Sequence, residues 1–159
     1  MVALYALTAA TVMALTLIIR VPIPATTGYL NFGDIAIFLF ALLFGGRVGA
    51  FAGGIGSALA DLVGYPVFAP FTLFIKGAEG FLAGYLASER RVRRDLLGWA
   101  AGATAMVAGY FVVETFFFGG VPAASVEVPL NLLQVFSGAA VSIPLAQGLR
   151  KAMPAQQIS

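Results

Sequence analysis

Long apolar stretches alternate along this chain with short breaks of proline, glycine and charged residues. A helix needs roughly 20 residues, at about 1.5 Å per residue, to cross about 30 Å of hydrocarbon, and several stretches approach that length. The breaks predict helices over residues 2–21, 34–45, 47–63, 67–87, 96–118 and 130–149. We therefore expect an all-α bundle of six helices in one domain, residues 1–159, in which the second and third helices are short.

The breaks themselves predict how the helices are connected. Pro22 and Pro24 should end the first helix, because proline lacks the backbone N–H that a helix interior needs. The first helix has no basic residues before it, so we expect a retained span rather than a signal peptide. Residues 119–129 read as an external loop, and the charged run from Glu89 to Asp95 (ERRVRRD) as a connector.

Composition places these helices in a membrane. Of 159 residues, 60% are hydrophobic and 10% are charged, with a mean hydropathy of +0.97, whereas soluble domains carry about 25% charged residues. We expect a multi-pass protein of a prokaryotic plasma membrane. Cysteine and histidine are absent, which removes disulfides, thiolate ligands and the commonest acid–base side chain. Neither a metal nor a cofactor is expected.

Basic residues predict the orientation. Lysine and arginine concentrate in the cytoplasmic loops of membrane proteins. With six spans, one side of the membrane receives the loops that contain Arg47, Arg90, Arg91, Arg93, Arg94, Arg150 and Lys151. Residues 22–33, 64–66 and 119–129 on the other side contain no lysine or arginine. Both termini are therefore predicted to be cytoplasmic.

Two charged residues interrupt the fourth apolar segment. Lys76 and Glu79 are three residues apart and share a helix face, and a lysine at the centre of a spanning helix costs about 2.5–3.5 kcal/mol on insertion scales. Such residues usually face the bundle interior, where they pair or bind a solute. A structural ion pair is an equally good interpretation of these two residues.

Other polar and aromatic residues are expected at a similar depth in the outer half of the bundle. Together they have the makeup of a small-molecule site. The candidate substrate-binding residues are Asn31, Asp34, Phe68, Lys76, Glu79, Tyr110, Glu114, Asn131 and Gln134. Alternatives stay open: Asp34 suits a helix N-cap, and Asn131 and Gln134 suit contacts between helices.

Three stretches resemble the substrate-binding S component of energy-coupling factor (ECF) vitamin transporters. They are the alanines of the first helix at spacing four, the run GYLNFGDIAIFLFALLFGGRVGAFAGGIGSALADL from Gly28 to Leu62, and PFTLFIKGAEGFLAGYL from Pro70 to Leu86. The chain is most similar to the branch that binds riboflavin, pyridoxine and hydroxymethylpyrimidine.

The resemblance implies a function and partners. The chain would be the membrane-embedded, high-affinity binding subunit for a small water-soluble vitamin or precursor, working with a transmembrane coupling subunit and two ATPase subunits. It would dock on the coupling subunit through Ala6, Ala10 and Ala14, and the loop from Pro22 to Gly33 would close over the substrate. The sequence contains no phosphate-binding G-x-x-x-x-G-K-[ST] motif, as expected if separate subunits hydrolyse ATP.

Two other functional classes of membrane protein fit the sequence less well. A membrane enzyme is disfavoured because no serine lies in a G-x-S-x-G context and no histidine is present. A stand-alone secondary transporter or a homo-oligomeric channel is the alternative function, although residues 1–80 and 81–150 show no internal repeat.

Overall fold

The computed structural model describes residues 1–23, 26, 28–87 and 91–152, and within these ranges it contains six α-helices. They are α1 Val2–Ile18, α2 Gly33–Phe44, α3 Gly46–Gly64, α4 Ala69–Leu86, α5 Val92–Val113 and α6 Gly120–Ala152. A π-helical segment, Glu114–Phe118, extends α5. The prediction of six helices is confirmed. Two short strands, β1 Arg20–Pro22 and β2 Tyr29–Asn31, form an antiparallel hairpin between α1 and α2.

The first helix ends three residues earlier than predicted, at Ile18. A proline ring at position 22 collides with the carbonyl of residue 18 in a continuous helix, and the residue before a proline favours extended backbone. The chain follows these preferences, because Pro22 pairs with Tyr29 and Arg20 with Asn31 in the hairpin.

The predicted external loop at 119–129 is wrong. Gly120 begins a helix of 33 residues that continues through Pro129 and Pro144. The break lies at Gly119 and Gly120, where Gly120 has a positive φ of 73°. Proline inside a helix removes one backbone hydrogen bond, but membrane helices tolerate it where neighbouring groups satisfy the freed carbonyl.

Two other boundaries differ from prediction. Helix α3 has 19 residues and is longer than α1 and α4, so among the described helices only α2, with 12 residues, is short. Helix α5 begins at Val92 rather than at 96, so the charged run enters its first turn. An acid at that position, here Asp95, interacts favourably with the helix dipole. Glu89 and Arg90 lie outside the described residues.

Helices α3 and α4 pack closely through small residues. A Cβ atom at Gly54 would lie 2.7 Å from the carbonyl oxygen of Leu73, and one at Gly46 would lie 2.7 Å from that of Phe81. Side chains larger than hydrogen would separate the helices. This close approach is typical of helices that associate in lipid.

Two of the described helical segments are long and apolar enough to cross a membrane. They are Val92–Phe118, with a mean hydropathy of 1.7, and Gly120–Ala152, with a mean hydropathy of 1.5. Apolar helices α1 and α2 are shorter.

The two ends of the bundle differ in chemistry. At one end, called here the arginine end, Arg150 Nη1 lies 2.7 Å from Asp95 Oδ2, and its Nη2 donates to the carbonyl of Leu42. This network connects α6, α5 and α2. The opposite end, called the hairpin end, carries β1, β2 and the start of α4. There Arg20 donates to the carbonyl of Ala60 at 2.9 Å.

Candidate functional site

A cavity lies at the hairpin end, between the hairpin and every helix except α2. Its volume is about 30 Å³, enough for one or two waters. Its walls combine aromatic, amide, hydroxyl and charged side chains. The lining residues are Thr16, Gly28, Tyr29, Asn31, Ser57, Asp61, Phe68, Thr72, Lys76, Met106, Tyr110, Glu127, Asn131 and Gln134.

Lys76 lines the inner wall of the cavity and forms ion pairs with two carboxylates on the side away from the cavity. Its ammonium forms an ion pair with Asp34 of α2 and lies 3.0 Å from Glu79 Oε2. All three side chains are at least 97% buried. A buried charge is stable only when it is paired and hydrogen-bonded. The two carboxylates therefore fix the ammonium at the cavity wall.

One face of α6 supplies the amide groups. Asn131 and Gln134 are three residues apart, and Gln134 Nε2 donates to Asn131 Oδ1 at 3.1 Å. Gln134 Oε1 accepts from the backbone N–H of Asn31 at 3.3 Å. The side chain of Asn31 also contacts the start of α2, because its Oδ1 accepts from the backbone N–H of Gly33 at 2.9 Å. The hairpin is thus attached to α6 through the cavity wall.

A second group of contacts attaches the hairpin to the end of α3. The Tyr29 hydroxyl donates to Asp61, and its ring stacks on Tyr65 with 4.6 Å between centroids. The Arg20 guanidinium lies 4.6 Å from the centroid of the Tyr29 ring. Burial and the neighbouring Asp61 carboxylate raise the pKa of the Tyr29 hydroxyl above its ordinary value. Tyr29 therefore keeps its proton and remains a donor.

Aromatic rings from α4 and α5 form another wall. The Tyr110 hydroxyl lies 3.0 Å from Thr72 Oγ1, and its ring centroid lies 5.8 Å from the Lys76 ammonium. Phe68 stacks on Phe118 with 4.2 Å between centroids. Such rings offer flat apolar surface on which a ring-shaped solute can stack.

Two carboxyl groups lie together beside the cavity. Glu127 of α6 lines it, and Glu114, in the π-helical segment, has Glu127 as its interacting carboxyl neighbour. Glu114 is fully buried and Glu127 is 5% exposed. Short π-helical segments occur frequently at functional sites. Because Glu114 neighbours Glu127 but is not itself a lining residue, it lies at the periphery of the site.

The structure brings six of the nine sequence-predicted site residues to the cavity wall: Asn31, Phe68, Lys76, Tyr110, Asn131 and Gln134. Asp34, Glu79 and Glu114 lie behind this wall. Their roles in substrate binding stay predictions.

Sequence reasoning missed several lining residues. Glu127 fell in the supposed external loop, although its spacing of four from Asn131 and seven from Gln134 places all three on one helix face. Asp61 was not among the candidate residues, because its contact with Tyr29 spans 32 positions and leaves no local signal in the sequence. Thr16, Ser57 and Thr72 carry no sequence signal that separates them from ordinary packing hydroxyls.

Comparison with known proteins decides the family. The family model described as "ECF-type riboflavin transporter, S component" matches residues 1–151. The chain belongs to this S-component family.

Two relatives align with more than four fifths of this chain. The thiamine precursor transporter HmpT of Lactococcus lactis subsp. cremoris (strain MG1363) is 34% identical over 142 residues, covering 82% of this chain and 81% of HmpT. A Pyrococcus woesei protein described as "Uncharacterized protein in gap 3′region" is 47% identical over 138 residues, covering 86% of this chain and 92% of that protein.

Membership fixes the general function. This S component is a membrane protein and the substrate-binding subunit of an ECF vitamin transporter. The family is one of transporter components rather than of enzymes. The prediction from the sequence that this chain is an S component is confirmed.

Proposed function

We propose that this S component binds one small vitamin or vitamin precursor in the cavity at the hairpin end, from the outer side of a prokaryotic plasma membrane. The observation that carries the proposal is the position of this cavity. Its aromatic and polar walls lie at the end of the bundle opposite the arginine network.

Charge supports the orientation. Arg47, Arg91 and Arg93 are exposed at the arginine end, where the positive-inside preference predicts the cytoplasm. At the hairpin end, the Arg20 guanidinium binds within the protein, because it donates to the carbonyl of Ala60 and stacks on the rings of Tyr29 and Tyr65. This arrangement supports cytoplasmic termini, a multi-pass topology and a cavity that opens outward.

Size and relatives together favour a compound with one ring. Ligand pockets usually enclose about 300–1,000 Å³, whereas the volume of this cavity is about 30 Å³. The hairpin must therefore open before a vitamin enters. A one-ring compound demands the smallest expansion. HmpT is named as a thiamine precursor transporter, and a hydroxymethylpyrimidine or pyridoxine fits this size class better than riboflavin.

Helix α1 supports docking on the coupling subunit. Ala6, Ala10 and Ala14 are exposed on one face, whereas Ala9, Val12 and Thr16 are buried on the other. A smooth alanine face permits close helix packing in lipid. We propose that this face contacts the transmembrane coupling subunit of an ECF module, whose two ATPase subunits supply the energy.

Binding and uptake assays test the proposal. The purified protein should bind one vitamin molecule per chain, and mass spectrometry of the co-purified small molecule should identify it. Uptake should require both ATP and the coupling module. Uptake by the chain alone would instead favour a stand-alone carrier or a channel.

A further inference from the structure

An apolar groove runs between α5 and α6 on the outer surface of the bundle. Its volume is about 460 Å³, which is within the usual range of ligand pockets. No described residue lines both this groove and the substrate cavity. Small residues of α5, among them Ala100, Ala103 and Ala108, lie between larger side chains such as Phe111 and Phe136. This difference in side-chain size forms the groove.

The chemistry of the groove suits an apolar occupant. Among the described residues that line it, only Trp99 and Thr104 carry polar side-chain atoms. Trp99 Nε1 donates to the carbonyl of Val135 at 2.8 Å, and Thr104 Oγ1 donates to that of Ala100 at 2.8 Å. A polar solute would therefore lose hydrogen bonds to water without gaining equivalent bonds from these side chains. A hydrocarbon chain would not incur this cost.

Arginines lie at one end of the groove. Arg91, Arg93 and Arg94 surround a recess together with Leu97, which is one turn before Ala100 of the groove. Positions 93, 97, 100 and 104 are separated by three or four residues, so they share one face of α5. A molecule that lies in the groove can therefore reach the arginines with one end.

Two of these arginines can receive an anion. Arg91 and Arg93 are exposed, and neither guanidinium forms an ion pair within residues 1–23, 26, 28–87 and 91–152. The acid of the same helical turn, Asp95, is already paired with Arg150. The forked guanidinium group matches the geometry of a phosphate. The groove thus combines an apolar channel with a phosphate-binding end.

The length of the groove matches one leaflet of a membrane. From Ala100 to Val112 it extends about 18 Å at about 1.5 Å per residue, and half of a hydrocarbon core of about 30 Å is about 15 Å. We propose that the groove binds an acyl chain of an anionic phospholipid, whose phosphate contacts Arg91 and Arg93 in the cytoplasmic leaflet. The lipid site is separate from the vitamin site and does not depend on which vitamin is bound.

Native mass spectrometry of the purified full chain tests the inference. Delipidated protein in detergent is titrated with phosphatidylglycerol and, separately, with phosphatidylcholine that has the same acyl chains. One arginine near a membrane surface strengthens the binding of anionic lipid by about fivefold, so two arginines should give phosphatidylglycerol a preference of about 25-fold. Glycerol 3-phosphate should not compete, because it has a phosphate but no acyl chain.

Variants assign the preference to the two parts of the site. Arg91→Gln combined with Arg93→Gln should remove most of the preference, whereas Arg47→Gln, at an exposed position of α3, should preserve it. Ala108→Phe fills the groove from an exposed position and should weaken phosphatidylglycerol binding at least tenfold. Ala78→Phe, at an exposed position of α4, is its matched control and should bind like the wild type. Thermal unfolding of each variant verifies folding.

The possible results separate this inference from the proposed function. Equal affinity for the two phospholipids in the wild type, or an undiminished preference in the folded double arginine variant, would overturn the inference. A dimer that disappears in Ala108→Phe would also overturn it, because a second copy of the chain would then fill the groove. Vitamin binding, measured on the same samples, should be unchanged in every variant. Failure of the wild type to bind a vitamin while it retains the lipid preference would contradict the proposed function alone.

Discussion

The Lys76 ammonium lies 3.0 Å from Glu79 Oε2 one turn along α4, and it also forms an ion pair with Asp34 of α2. Two acids therefore compensate one base inside the bundle, and the base is the member that lines the cavity. The pair that the sequence suggested is thus a triad, and the triad connects α2 to α4 at the substrate site.

The triad predicts unequal effects of removing its members. Lys76→Met leaves two buried carboxylates without their cation, and breaking a buried pair in this way costs about 3–5 kcal/mol. Asp34→Asn should lower the free energy of unfolding by less, because the ion pair between Lys76 and Glu79 remains. Thermal unfolding in detergent measures both. Equal melting temperatures for the two variants would contradict the described pairing.

The contact between Tyr29 and Asp61 predicts how firmly the hairpin closes. Tyr29→Phe removes the donor to a buried carboxylate, which costs about 1–3 kcal/mol, so a bound vitamin should dissociate about ten times faster. Stopped-flow release of the vitamin checks this. Tyr65→Phe is the matched control, since its ring can still stack on that of Tyr29. Release from the control should stay near the wild-type rate, and similar acceleration in both variants would contradict a role for the hydroxyl contact.

The alanine face of α1 predicts a separation of binding from transport. Ala10→Trp adds a large ring to an exposed face, so close packing against a coupling subunit should fail while the cavity stays intact. Vitamin binding should be unchanged and uptake with the coupling module should be lost. Phe74→Trp, on an exposed position of α4, is the control and should transport normally. Normal uptake by Ala10→Trp would exclude this docking face.

The arginine end predicts a stabilising role for Arg150. Arg150→Met leaves the buried Asp95 without its cation, and we expect a loss of about 3–5 kcal/mol. Arg150→Lys should restore only part of this lost stability, because lysine lacks the forked guanidinium group that reaches both Asp95 oxygens and the Leu42 carbonyl. Arg93→Met, at an exposed position, should leave the melting temperature unchanged. A comparable loss in Arg93→Met would show that general charge, rather than this network, stabilises the fold.

The sequence predicted the six helices and five of the polar residues that line the cavity, because the signals for these features are local. Apolar length marks a helix, and a charge such as Lys76 within an apolar helix marks the bundle interior. Contacts between distant residues carry no such signal. The 42 positions between Asp34 and Lys76 concealed their pairing, and a sequence rich in proline and glycine concealed the helix that carries Glu127.

Equilibrium binding to the wild type and to Asn131→Leu tests the central claim most directly. Asn131 lines the cavity, and leucine has the same branched shape but replaces both polar atoms with bulkier methyl groups. Gln134 Nε2 loses its acceptor in this variant, whereas Gln134 Oε1 can still accept from the backbone N–H of Asn31. Isothermal titration with the co-purified vitamin should show one molecule per chain for the wild type and a loss of at least tenfold in affinity for the folded variant. Unchanged affinity in Asn131→Leu would contradict the placement of the substrate in this cavity.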